Sequence, residues 1–229
     1  MNSKNNQFIK IYEENPYYWE YKGEPVLLLG GSIEDNLFQV NDIKKQLELI
    51  AKTGGNYVRN TMSSRDEGNV WPFKKENGKY DLEKWNSEYW NRFKKFLKET
   101  EVRDIIVQIE IWATFDYYRE NWNQDNPFNP ANNITYTAEE TGLPLEVNTH
   151  PTETENNFFW SVPEENNQET VLKYQQKFVD KILSYTLDYG HILYCMDNET
   201  SVTPKWGKYW SRYIKNKAKE KGKKIYTTE

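Results

Sequence analysis

Short apolar runs along the chain alternate with longer segments in which apolar residues recur every three or four positions. A continuous apolar run predicts a strand buried on both faces, and the longer period predicts an amphipathic helix. The runs predict strands at residues 25–30, 56–60, 104–111, 191–196 and 223–228. The periodic segments predict helices at residues 43–51, 81–99, 169–189 and 206–221.

The ends of the first two predicted helices carry signals of their own. Asn41 or Asp42 is placed to cap the first helix, and Gly54 follows its last turn. Asp81 stands where a cap is expected for the second helix, whose apolar face runs from Leu82 to Leu97. These residues support the helix predictions independently of the periodicity.

Strand and helix repeated four times predict parallel strands joined by right-handed crossovers. Two architectures are built this way, the doubly wound open sheet and the (β/α)8 barrel. The first predicted strand leads into Gly30-Gly31-Ser32, without the G-x-G-x-x-G spacing of a nucleotide-binding loop. We therefore expect an α/β protein of the (β/α)8 TIM-barrel type, one domain over residues 1–229 with the first four to five βα units. A nucleotide enzyme on an open sheet is the less favoured alternative.

One long segment interrupts this rhythm. Residues 117–165 show little periodicity and are rich in Asn, Pro and Thr, yet they also carry several aromatic side chains. A long aperiodic segment in a compact domain is usually functional or disordered, and its aromatic content argues against disorder. Because the segment follows the third predicted strand, we expect it to lie over the active-site end of the barrel as a lid or cleft wall.

Charge and cysteine content limit the possible partners and cofactors. The net charge of −5 does not favour nucleic acid, and no apolar stretch is long enough to cross a membrane. No secretory signal is seen at the N-terminus, and the single Cys195 leaves the compartment open. His150 with Glu153 and Glu155 is the nearest approach to a metal-binding pattern, but such spacing in a polar loop is expected by chance. No metal or cofactor is predicted.

The aromatic content is high for a chain of this size. Aromatic residues make up 16% of the chain, with nine Trp and 17 Tyr. Flat aromatic rings on loops are common platforms for sugar rings, whose C–H faces stack on them. Packing between helices and the sheet is the alternative use of these rings, and we expect it for about half of the Trp residues. Composition thus suggests a carbohydrate ligand.

Polar and aromatic residues follow each predicted strand, where a barrel enzyme places its chemistry. The candidates for substrate contact are the strand-end residues together with two Trp of the long segment. They are Asp35, Asn36, Trp112, Trp122, Trp160 and Asp197. Asp35 and Asn36 are also placed to cap the first helix, and Trp112 is also suited to the core.

Arg59, at the end of the second predicted strand, and Asn198-Glu199, at the end of the fourth, resemble a known pattern. It is that of the clan A glycoside hydrolases, retaining enzymes on a (β/α)8 barrel that include cellulases and β-mannanases. The opening segment, residues 15–25, is similar to the start of cellulase-like glycosidases. In element order the resemblance covers essentially the whole chain, but its specific content is Arg59 and Asn198-Glu199.

The resemblance implies a role for each of these three residues. Glu199 would be the general acid/base, and a proton donor of this kind is usually buried beside a second carboxylate. Asn198 would hold the sugar 2-hydroxyl group, and Arg59 would steady the nucleophilic carboxylate. Two alternatives stay open. Glu199 could be a solvated residue before the last helix, and Arg59 could simply pair with Glu110 or Asp197.

The pattern also departs from that clan. The clan's nucleophile is a glutamate on the seventh strand, and the present sequence reaches only the fifth, so we expect part of a longer protein. Pairing of two copies into a homodimer is another way to close the sheet. Binding of carbohydrate without cleavage by a half-barrel is the alternative function.

Overall fold

The computed structural model describes residues 8–150, 153, 156–200 and 202–228. The strands in these ranges are β1 (Lys10–Ile11), β2 (Trp19–Tyr21), β3 (Glu24–Val26), β4 (Tyr57–Thr61), β5 (Phe73–Glu76), β6 (Lys79–Trp85), β7 (Ile106–Trp112), β8 (Ile192–Asp197) and β9 (Thr227–Thr228). The α-helices are α1 (Ile43–Lys52), α2 (Ser87–Glu101), α3 (Ala138–Thr141), α4 (Glu169–Thr186) and α5 (Pro204–Glu220).

The main sheet is parallel, with its strands in the order β4-β7-β8-β9. β7 lies between β4 and β8 and pairs with both over most of its length. The crossovers contain α2, α4 and α5, as expected for parallel strands that need long connections. The predicted α/β class and parallel sheet are therefore confirmed.

The prediction of a strand buried on both faces at residues 25–30 was wrong. Most of this segment does not pair with the parallel sheet. Residues 24–26 form β3, which pairs antiparallel with β2 in a small separate sheet. Gly30 alone forms a parallel bridge, to Tyr57 at the start of β4. Leu27 and Leu29 are 60% and 53% exposed, because this segment lies at the edge of the parallel sheet.

The helix predicted at residues 81–99 begins later than expected. Residues 79–85 form β6, the second strand of a hairpin with β5, and α2 begins only at Ser87. The helix is capped by Asn86, whose side chain accepts a hydrogen bond from the Glu88 N–H, and not by Asp81. A turn at Asn77-Gly78, both with positive φ, reverses the chain and commits the following residues to the hairpin.

The two faces of the parallel sheet differ in what covers them. One face, which includes Val107, Ile109 and Tyr194, packs against the helices and forms the main hydrophobic core. The opposite face carries Arg59, Glu110 and Cys195, and we call it the polar face. Near the amino ends of the strands, a smaller apolar cluster that joins Ile9 and Tyr21 to Ile106 and Leu193 covers the polar face. The polar residues of this face therefore lie toward the carboxyl ends of the strands.

The segment at residues 117–165 has more structure than its sequence suggests. It contains a π-helix at Asn121–Asp125, the short helix α3 and a 3-10 helix at Asn157–Trp160. Its aromatic rings pack on the long helices. The ring centres of Phe128 and Phe178 of α4 are 6.3 Å apart, and those of Phe158 and Trp206 of α5 are 6.2 Å apart. These rings extend the main core.

Candidate functional site

Charged side chains from three neighbouring strands meet at the carboxyl end of the polar face. In the register of the sheet, Thr61 of β4 lies opposite Glu110 of β7, which lies opposite Cys195 of β8. Arg59 lies two residues before Thr61 on the same face, because side chains alternate along a strand. Asp197 ends β8 and is followed by Asn198 and Glu199. Chain topology alone therefore brings these predicted residues to one edge.

Two arginines and two carboxyl groups form a connected ion-pair network at this edge. Arg65 Nη2 donates hydrogen bonds to both carboxylate oxygens of Asp35, at 2.8 and 2.9 Å. Arg59 lies on the other side of Asp35, with Nη2 at 3.5 Å from Oδ2, and its Nη1 lies 3.7 Å from Glu110 Oε2. The expected alternative partner of Arg59, Glu110, is thus confirmed as a contact.

Arg65 was not among the residues predicted from the sequence. It follows β4 by four positions, and its guanidinium lies 4.9 Å from the centre of the Phe115 ring. A cation over an aromatic face is attracted by the ring quadrupole, which helps to fix the position of Arg65. The available signal was its place in a polar loop directly after a strand end.

Glu110 is the most deeply buried carboxyl group of the network. It is 3% exposed, and its Oε2 atom has no hydrogen-bond partner among the described residues. Burial raises the pKa of Glu110 to about 7, and the negative charges of Asp35 and Asp197 add to this, while Arg59 and Arg65 lower the pKa. A buried carboxyl group that titrates near neutral pH is typical of functional sites.

Glu199 and Asn198 form a tight bend after β8. Glu199 is exposed, in contrast to the burial expected of a proton donor, and its backbone has a φ of 54°. Thr114 Oγ1 donates a hydrogen bond of 2.5 Å to the Asn198 carbonyl oxygen, which ties the bend to the end of β7. An open depression of about 330 Å³ runs from Asp197 to Gly207 past this bend. The Glu199 carboxyl group therefore faces solvent beside a groove.

Trp112 and Trp122 are core residues, which corrects the expectation that they contact substrate. Both are 0% exposed. The Trp112 ring packs 5.1 Å from Trp210 of α5, and Trp122 Nε1 donates a hydrogen bond of 3.0 Å to the Pro144 carbonyl oxygen. Neither ring has a face open to a ligand.

The remaining predicted contact residues are buried or half-buried. Asn36 is 1% exposed, and its amide donates hydrogen bonds to Asp66 and Asn69, so it is a structural residue and not a sugar contact. It stands at the N-cap position of a short 3-10 helix, Leu37–Gln39, but its side chain makes no capping hydrogen bond, and it does not cap α1. Asp35 is half-buried in the network. Trp160 and Asp197 are also half-buried, and both remain candidates for ligand contact.

Other features of the described part of the chain do not compete with this site. It contains no group of three or more His, Cys, Asp or Glu side chains placed to bind a metal ion; Glu155 lies outside it. No helix in the same ranges is long and apolar enough to cross a membrane. A cavity of about 360 Å³ at the opposite end of the sheet, beside Phe8 and Tyr226, is lined by no carboxyl side chain.

The chain matches no protein-family model and no curated protein in sequence. Its structure is similar to a glycoside hydrolase family 5 mannosidase from Rhizomucor miehei, with a TM-score of 0.66 and 16% identity over 96% of this chain. A presumed glycoside hydrolase from Bacteroides vulgatus covers 93% with a TM-score of 0.59 and 12% identity. Endo-glycoceramidase II from Rhodococcus sp. covers 90% with a TM-score of 0.55 and 16% identity.

These similarities establish the fold. The resemblance to clan A glycoside hydrolases, expected from Arg59 and Asn198-Glu199, is confirmed at that level over most of the chain. The chain spans 55% of the length of the mannosidase, 49% of the glycoceramidase and 37% of the Bacteroides protein.

Proposed function

We propose that this chain contributes the acid/base side of the active site of a retaining glycoside hydrolase on a (β/α)8 barrel. The observation that carries the proposal is the position of Arg59, Asn198 and Glu199. All three lie at or near the carboxyl ends of parallel strands, in a fold shared with glycoside hydrolases. In (β/α)8 barrels the reacting groups are assembled at this end of the strands.

Glu199 would protonate the glycosidic oxygen as the bond to the leaving group breaks, and would then take a proton from the attacking water. The supporting observation is that Glu199 is exposed and lines the groove. Asn198 would hold the sugar 2-hydroxyl group, an interaction that strengthens as positive charge develops on the ring. Arg59, whose side chain is 40% exposed, would fix a carboxylate in its ionised form.

The substrate is proposed to be an oligosaccharide or polysaccharide. The relatives in structure are a mannosidase, one form of which is in complex with mannosyl-fructose, and an endo-glycoceramidase in complex with ganglioside GM3. Of the three Trp residues predicted to contact substrate, Trp160 is half-buried while Trp112 and Trp122 are fully buried, so Trp160 is the one proposed to contact a sugar ring. The choice of sugar and the endo or exo action depend on loops around the groove.

Hydrolysis of aryl β-glycosides, β-glucans and mannans tests the proposal, measured for the longest reading frame that contains this chain, as wild type and as Glu199→Gln. Turnover should fall by at least about a hundredfold in the variant, since general acid catalysis contributes this much or more. Glu101→Gln is the matched control, because Glu101 is an exposed glutamate at the end of α2, which leads to the amino end of β7 and so lies at the opposite end of the sheet from Glu199. It should keep full activity.

The leaving group distinguishes an acid/base role from general damage. Dinitrophenyl glycosides release a stable phenolate and need no proton, so Glu199→Gln should lose much less activity on them than on simple alkyl or sugar leaving groups. Equal losses on both substrates would reject Glu199 as the acid. Absence of turnover in the wild type, with polysaccharide binding retained, would favour carbohydrate binding without cleavage.

A further inference from the structure

Arg59 is the central group of the ion-pair network, but its two carboxyl neighbours differ in how fully they are compensated. Asp35 already accepts two short hydrogen bonds from Arg65. Its contact with Arg59 is longer, at 3.5 Å. Arg65 thus balances the charge of Asp35. The carboxyl group that remains to balance Arg59 is Glu110, whose Oε2 lies 3.7 Å from Arg59 Nη1.

Glu110 is placed in the sheet so that it can act on Arg59. It lies on β7, the strand that pairs with both β4 and β8, and it is almost fully buried. The Arg59 side chain is 40% exposed, so its guanidinium lies between the buried Glu110 and solvent. The Oε2 atom that faces Arg59 has no hydrogen-bond partner among the described residues, so no other group fixes its charge. Buried polar atoms without partners are rare and often belong to functional sites.

We propose that Glu110 is a positioning residue that holds the Arg59 guanidinium at the carboxyl ends of the strands. When Glu110 is ionised it attracts Arg59 and holds the guanidinium at the carboxyl ends of the strands. When Glu110 is protonated this attraction is lost, and Asp35 is the remaining partner. The inference rests on the proposed function, because only there does Arg59 act on a reacting group.

The state of Glu110 changes near neutral pH. The charged or titratable groups that interact with it are Arg59, Asp35, Arg65, Asp197, Cys195 and Tyr57. Burial, with Asp35 and Asp197, raises the pKa of Glu110 to about 7 against the opposing effect of the arginines. Burial also raises the pKa of the Cys195 thiol to about 11, so Cys195 stays neutral over this range. Arg59 is therefore held above about pH 7 and released below it.

The pH dependence of kcat/KM on an aryl glycoside, measured for the wild type and Glu110→Gln, tests the inference. The wild type should show an acid limb in which kcat/KM rises with pH through about 7. Glu110→Gln should lack this limb and remain about tenfold or more below the wild type at high pH. Glu110→Asp keeps a carboxyl group that can titrate, so it should show an acid limb again. Cys195→Ala, at the position opposite Glu110 in β8, is the matched control and should keep it.

A second measurement does not depend on turnover. The NMR correlation of the Arg59 Nε–H group should shift between about pH 5 and about pH 9 in the wild type, and this shift should be absent in Glu110→Gln. Persistence of the acid limb or of the Arg59 shift in Glu110→Gln would overturn the inference. If the wild type is inactive, the proposed function fails, and the Arg59 titration alone then decides whether Glu110 controls the position of Arg59.

Discussion

Arg65 binds both carboxylate oxygens of Asp35 through a single nitrogen, Nη2, at 2.8 and 2.9 Å. Both side chains are about one-fifth exposed, so this ion pair is largely removed from solvent. Arg65→Met keeps the apolar stem but leaves Asp35 with Arg59 as its remaining cation. Loss of one partner of a largely buried pair should lower the free energy of unfolding by about 1–3 kcal/mol.

Urea denaturation of Arg65→Met measures this effect, with Arg212→Met as the matched control. Arg212 Nη1 lies 3.6 Å from Glu164 Oε1, but these two side chains are 68% and 45% exposed. An exposed pair contributes about 0–1 kcal/mol, so the control should be nearly neutral. Equal decreases in the free energy of unfolding of the two variants would show that the Arg65–Asp35 ion pair stabilises the fold no more than an exposed pair does.

Gly30 is required where the chain enters the parallel sheet. A Cβ atom at this position would lie 1.6 Å from the Tyr57 carbonyl oxygen, and backbone cannot move aside cheaply. We expect Gly30→Ala to cost about 3 kcal/mol or more, or to prevent folding. The neighbouring Gly31→Ala is the control, because its Cβ would meet nothing within 4 Å. Thermal unfolding of the two variants should therefore differ widely, and similar melting temperatures would contradict the bridge between Gly30 and Tyr57.

The main strands and helices were predictable because burial repeats with a clear period. The three central strands and the last two helices lie within a few residues of their predicted bounds. The hairpin was missed because Leu82 and Trp85 also fit a helical stripe. The Asn77-Gly78 pair was a usable signal, since both residues adopt the positive φ that a tight hairpin turn requires.

The site was predictable in position and less so in detail. Arg59 and Asn198-Glu199 reach the same edge because parallel strands bring their carboxyl ends together. Contacts that depend on side-chain direction could not be predicted, so Arg65 was missed. The position of Trp112 at a strand end favours a place in the cleft, yet its ring is buried among Trp206, Trp210 and Phe158. Composition gives the number of aromatic rings and not the side of the sheet on which each one lies.

His191 should make stability depend on pH below neutrality. It is fully buried, with Nε2 at 3.0 Å from Thr100 Oγ1, and burial lowers the pKa of His191 from 6.5 to about 4. The unfolded chain therefore binds more protons between these values, so the stabilising contribution is complete above about pH 6.5 and is lost as pH falls toward 4. The free energy of unfolding of the wild type, relative to His191→Gln, should decrease over this window.

Direct titration of the His191 ring checks the cause of that loss. The chain has two histidines, so the His150→Asn background leaves His191 as the only one to be observed by NMR. The ring should remain neutral down to about pH 5 in the folded protein. A ring that titrates at its ordinary value would contradict the burial of His191 at the start of β8.

Glu199 should be a site where function and stability oppose each other. Its φ of 54° lies in the left-handed region, which costs a non-glycine residue about 1 kcal/mol and costs glycine almost nothing. Glu199→Gly should therefore be about 1 kcal/mol more stable to urea than Glu199→Ala, which keeps the unfavourable backbone while also losing the carboxyl group. Both variants should lose hydrolysis of substrates that need a proton at the leaving group. If the two variants were equally stable, the bend after β8 would not hold residue 199 in this conformation, and the carboxyl group would have no fixed direction toward the groove.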